Sequence, residues 1–234
     1  FDLTQKLTGA AAPQGDPVAA ILDGVPLANH AALQGRVILD DPDDHASHYQ
    51  PGQHLHGTAM SSIVLFGDLN GSANAQPRPV YVRPILQPDS FGREEVTPPN
   101  RLLVDVIHRA VRRMMEGEEG NAPVAPSVRI VSLSIGDRSR PFDRDVSPLA
   151  RIIDWLAWKY RLLFIISAGN CTSDIVVDST FDEWQQLSVE DRAIAILRAM
   201  RSDQFRRRPL SPAEAINAVT VGESHRDECT IFTA

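Results

Sequence analysis

The chain has 234 residues, of which 43% are apolar and 23% charged, so it can bury the core of one large α/β domain or two small ones. Its net charge of −7 argues against nucleic acid as the main partner, because phosphate binding requires a basic surface. No apolar run reaches membrane-spanning length and no signal peptide is visible, so the sequence predicts no membrane partner and leans towards the cytoplasm. Cys171 and Cys229 could pair, but two thiols are no disulfide framework.

Taken in order, apolar runs of strand length alternate with amphipathic helical patterns. That alternation predicts a three-layer α/β fold with a mainly parallel twisted sheet flanked by helices. "VAAIL" (18–22), "PVYVRPIL" (79–86), "VRIVSLSI" (128–135), "LLFIISA" (162–168) and "AINAVTVG" (215–222) read as strands. Their continuity suggests burial on both faces.

After the first strand, "QHLHGTAMSS" (53–62) places His56 at the mouth of a helix, with Gly57 allowing a tight turn. In 100–116, Leu102, Leu103, Val106, Ile107, Ala110, Val111 and Met114 are expected to form an apolar stripe, with arginines opposite. Ser147 and Pro148 suit the start of a helix over 147–160. A third helix is expected over 188–201, capped by Ser188 and Asp191, with Val189, Ile194, Leu197 and Met200 inward. The run "FRRRP" (205–209) reads as a solvated face, and Ser211-Pro212-Ala213-Glu214 as a capping box. With no repeat and no low-complexity linker, 1–234 is expected to be one domain.

Open parallel sheets place chemistry in the loops after their strands, and three polar residues fall there. Asp23 closes the first strand. A carboxylate at the end of a buried strand needs hydrogen bonds, although "LDG" is also an ordinary turn. His56 sits where the helix dipole disfavours a cation, a bias that a buried carboxylate nearby would reverse. Asn170, after Ala168-Gly169, could aim its amide N–H groups at a developing oxyanion, or could merely form a turn.

In the order Asp, His, Asn, these blocks resemble the subtilisin-like serine peptidases (peptidase S8 family). The likeness rests on "VAAILDG" with "NHAAL" downstream, "HGTAM", "VSLSIG", "FIISAGN", and "AINAVTVG" followed by "TIFTA". It implies a serine endopeptidase that hydrolyses polypeptides through an Asp-His-Ser triad and uses no cofactor and no metal. Asp23 would orient His56, His56 would take the nucleophile's proton, and Asn170 would donate to the oxyanion. Ser134, Ile135, Gly136, Ala168 and Gly169 would line the substrate. The family's serine opens a late helix in a Gly-Thr-Ser segment, and this sequence contains no such segment. The resemblance therefore implies the N-terminal two-thirds of a catalytic domain, incomplete at its C-terminus and inactive by itself.

Several positions depart from the family pattern. Gly24 follows Asp23 directly, where Ser or Thr is usual. Ala32 stands where an acidic residue often helps bind calcium, Ala59 where a second histidine is common, and Cys171 after Asn170. A helical insertion is expected over 171–213, as a lid, flap or partner surface. Two other readings remain open: an inactive subtilisin-like binding module, and a zinc site. The latter would draw on His45, His48, His54 and His56 among the four aspartates of 40–57.

Overall fold

The computed structural model describes residues 11–68, 75–171 and 174–222. A six-stranded sheet forms its centre, built from β1 (Ala19–Asp23), β2 (Val37–Leu39), β3 (Val80–Pro84), β6 (Ile130–Leu133), β8 (Leu163–Ser167) and β10 (Ala218–Val221). All five pairings in the spatial order β10-β8-β6-β1-β3-β2 are parallel. The α/β class expected from the alternating pattern is the one observed. All five expected strands are present. β2 was not anticipated, because a three-residue run carries too little periodicity.

Alternation along the strands builds the layers. Ala20 and Leu22 of β1, Tyr81 of β3, Val131 and Leu133 of β6, and Phe164 and Ile166 of β8 belong to one core. The same core contains the stripes of α2 (Leu103–Glu116) and α3 (Pro148–Tyr160). Ile21, Val80 and Val82 point the other way, into a smaller core with Ala32, Leu33, and Leu65 and Phe66 of α1 (Leu55–Phe66).

That second layer is partial. Ile130 and Leu163 are 42% exposed, and Val219 and Val221 of β10 are 45% and 50% exposed. The register aligns Ile130 with Leu163, Val219 with Ile165 and Val221 with Ser167, so these residues share one open face. Burial on both faces, expected from the apolar runs, holds for β1 and β3 but not for β6, β8 and β10.

Two antiparallel pairs are separate from the central sheet: β4 (Gln87–Pro88) with β5 (Glu95–Val96), and β7 (Asp137–Pro141) with β9 (Leu210–Ser211). α3 begins as expected, the Ser147 hydroxyl accepting from the Ala150 N–H at 3.1 Å. The segment 211–214 does not open a helix, since four residues before a strand are too few for one. Instead Glu214 accepts the Ser147 N–H at 3.0 Å and the Ser211 and Ser147 hydroxyls meet at 2.6 Å, closing the start of α3.

The insertion is helical, with α4 (Phe181–Gln186) and α5 (Val189–Ser202), and Ser188 caps α5 as expected. Its apolar stripe does not face inward. Val189 is 82% and Leu197 64% exposed, and neither helix buries a residue. Of the basic run, Arg206 and Arg207 pair with Asp203, and Arg208 with Asp143. Among the described residues no helix is long and apolar enough to cross a membrane. Cys171 is exposed, while Cys229 and the "TIFTA" block lie outside the described residues.

Candidate active site

The chain runs from β1 to β2 and β3 on one side, then crosses to β6, β8 and β10 on the other. β1 is therefore where the strand order reverses, and the crevice beyond its carboxyl end is where open α/β sheets bind ligands. Asp23 is the last residue of β1 and is fully buried. Its Oδ1 accepts two hydrogen bonds, from the Gly24 N–H at 2.7 Å and from His56 Nδ1 at 2.7 Å. These two residues, 33 apart in the chain, are thus brought into direct contact.

α1 delivers the imidazole from the opposite element. His56 is its second residue, and Gly57 lets the helix press against the turn after β1. A Cβ at Gly57 would come within 2.5 Å of the Gly24 carbonyl oxygen. The glycine serves this close approach rather than the tight turn expected from sequence. Thr58 Oγ1 accepts the Leu27 N–H at 2.9 Å, and His54 Nδ1 donates to the Val25 carbonyl at 2.9 Å, clamping the helix to the same loop.

The Asp23 carboxylate beside Nδ1 fixes the proton on that nitrogen and leaves Nε2 as the basic site. Its hydrogen bond raises the His56 pKa above the ordinary 6.5, against the opposing effect of burial and with help from the Asp23 and Glu95 charges. The result is a base held in one tautomer and biased towards accepting a proton.

A cleft of about 800 Å³ opens over this pair. Ser134, Ile135 and Gly136 line it, between the last paired residue of β6 and the first of β7. Gly169 and Asn170 line it from the end of β8. Gly169 has φ +93°, and a Cβ there would lie 2.6 Å from Leu210, so only glycine suits this turn. Asn170 is exposed at the rim. Ala168 stands apart from the lining: its N–H donates to Val221 and its carbonyl accepts from Leu210, so its backbone is committed to neighbouring segments.

Glu95 and Tyr49 were not anticipated. Tyr49 donates its hydroxyl to Glu95 Oε1 at 2.5 Å, and Glu95 reaches the cleft beside His56. The signal was present in Gly24: a Cβ there would lie 1.7 Å from Glu95 Oε1 and 2.7 Å from Tyr49 Oη. The missing side chain after Asp23 marks occupied space.

The histidine-rich loop does not converge on a metal. His54 turns to Val25 and stacks on Tyr49 at 4.9 Å, His56 turns to Asp23, and Asp43 pairs with Arg83, Arg101 and Arg109. Buried His45 is held by its backbone N–H to Asp41. Among the described residues, only atoms of Asp23, His56 and Glu95 come within 4.8 Å of one another as a trio.

The geometry is that of a carboxylate-oriented imidazole at the mouth of a cleft on a parallel α/β sheet. The sequence model of the subtilase family (peptidase S8) matches residues 15–232, and the chain belongs to that family. At the level of the family this means serine peptidases, which act on polypeptides. No curated protein matches the chain.

Proposed function

We propose that the chain supplies the acid–base and oxyanion parts of a serine endopeptidase, with the nucleophilic serine contributed from beyond residue 234. The observation that carries this reading is the 2.7 Å bond between Asp23 and His56 at a cleft also lined by Asn170. In the reaction, His56 Nε2 takes the proton of the serine hydroxyl as its oxygen attacks the peptide carbonyl carbon. Asn170 donates to the resulting oxyanion, and the imidazolium returns its proton to the leaving amine. Water then hydrolyses the acyl-enzyme by the same exchange. Ser134–Gly136 would pair with an extended substrate as an added strand.

The open apolar face of β6, β8 and β10 supports the reading, because it offers a further segment a place to pack beside the cleft. A polypeptide extending beyond residue 234 is expected to react with a fluorophosphonate probe at one serine in that extension, and the 234-residue chain alone not to react. Labelling at any serine within 1–234 would overturn the assignment of the nucleophile. In the extended enzyme, Asn170→Ala is expected to lower kcat by about 10²–10³ with little change in KM, as measured in steady-state peptide hydrolysis.

A further inference from the structure

Glu95 occupies a position that the reaction above does not use. It stands on β5, a two-residue strand held by its pairing with β4, with Pro88 opposite Glu95 and Gln87 opposite Val96. Asp89 closes the hairpin, accepting the Arg93 N–H at 2.7 Å. Tyr49 fixes the carboxylate by a 2.5 Å hydrogen bond, and its hydroxyl also lies 3.3 Å from the Leu86 carbonyl. The carboxylate fills the volume that any side chain at residue 24 would need. From there one of its carboxylate oxygens lies within 4.8 Å of an Asp23 oxygen and a His56 ring nitrogen.

We propose that Glu95, locked by Tyr49 into the space left by Gly24, is a positioning residue for the base: a second carboxylate that stabilises the His56 imidazolium. The inference rests on His56 being the base of the proposed peptidase, but the electrostatic contact can be tested without turnover.

The energetics favour this role over simple space filling. Two carboxylates so close resist ionising together unless something compensates. Burial and the Asp23 charge raise the Glu95 pKa above its usual value, against the Tyr49 hydrogen bond and the His56 and His54 rings, which lower it. Among the described residues, Asp23 Oδ2 is buried with no hydrogen-bond partner. A proton arriving on His56 Nε2 relieves both anions together, so the pair of carboxylates favours the imidazolium formed during proton transfer. Among the described residues, the charges that act on the His56 pKa are those of Asp23 and Glu95, and Arg93, Glu94, Asp137 and Arg138 line the same cleft.

The sign of the effect follows. Removing the Glu95 charge lowers the His56 pKa, so the neutral base persists to lower pH. His56 is followed by its ring C–H resonance in an NMR pH titration of the protein, assigned by its loss in His56→Gln. Glu95→Gln, which preserves shape, is expected to lower the His56 pKa by about one unit. Gly24→Ser, which displaces the carboxylate, should shift it the same way, and Tyr49→Phe should shift it less.

In the extended enzyme, the acid limb of kcat/KM should move with these values. An unchanged His56 pKa in folded Glu95→Gln would overturn the proposal. Should that variant fail to fold, an unchanged value in Tyr49→Phe would do so. Shifted pKa values in a protein whose extended form never reacts with fluorophosphonate would uphold the contact and reject the peptidase reading instead.

Discussion

Alanine at His56 is expected to remove fluorophosphonate labelling and to lower kcat for peptide hydrolysis by the extended polypeptide by about 10⁶, the loss measured for this change in subtilisin. The expectation follows from geometry. Among the described residues, only His56 presents a ring nitrogen to the cleft while its other nitrogen is held by a buried carboxylate. Asp23→Asn in the proposed enzyme is expected to cost about 10⁴, the loss known for the triad aspartate of a serine peptidase, because the amide stabilises the wrong tautomer. Asp23 Oδ1 accepts both the Gly24 N–H and the imidazole, so an amide nitrogen there would meet two donors. With the wild-type sequence, kcat/KM should rise with pH through a value above the ordinary 6.5 as His56 loses its proton. Labelling that survives His56→Ala would remove the imidazole from the mechanism.

The parts of this site legible in the sequence were those at strand ends. Asp23, His56 and Asn170 each stand where an apolar run stops or a helix starts, and a parallel sheet gathers such positions at one edge whatever their separation along the chain. Residues from short or irregular elements were not legible. Glu95 lies on a two-residue strand with no periodicity, and its role follows only from a tertiary approach to Gly24.

Patterning also misleads where a face lacks cover. The stripe Val189, Ile194, Leu197 and Met200 has the period of a buried helix and is exposed, because periodicity states which residues share a face and not what meets it. Likewise "VRIVSLSI" reads as buried throughout, yet Ile130 lies on the open side of the sheet. Ser211 and Glu214 carry the chemistry of a cap, but instead of opening a helix of their own they bond Ser147, the N-cap of α3, more than sixty residues earlier.

Gly57 gives the second large effect, because two opposing contributions can be weighed there. Within a helix, alanine is favoured over glycine by about 1 kcal/mol, so propensity alone predicts that Gly57→Ala stabilises the protein. The added Cβ, however, would lie 2.5 Å from the Gly24 carbonyl oxygen, 2.9 Å from its carbon and 3.0 Å from the Val25 carbonyl carbon. These are backbone atoms directly after β1, which a side-chain rotation cannot move. Overpacking of this kind typically costs about 1–3 kcal/mol and should exceed the gain in propensity. Gly57→Val, with a larger and β-branched side chain, should lose more.

Relief requires α1 to back away from β1, and that motion carries His56 away from Asp23. Both variants are thus expected to lower the denaturation midpoint and to bring the His56 pKa down towards 6.5, the two changes arising from one displacement. Gly52→Ala is the control: among the described residues nothing lies within 4 Å of its Cβ position, and its stability should change by less than about 0.5 kcal/mol. Stabilisation by Gly57→Ala would show that the helix is free to move, and that the contact between Asp23 and His56 is not enforced by this packing.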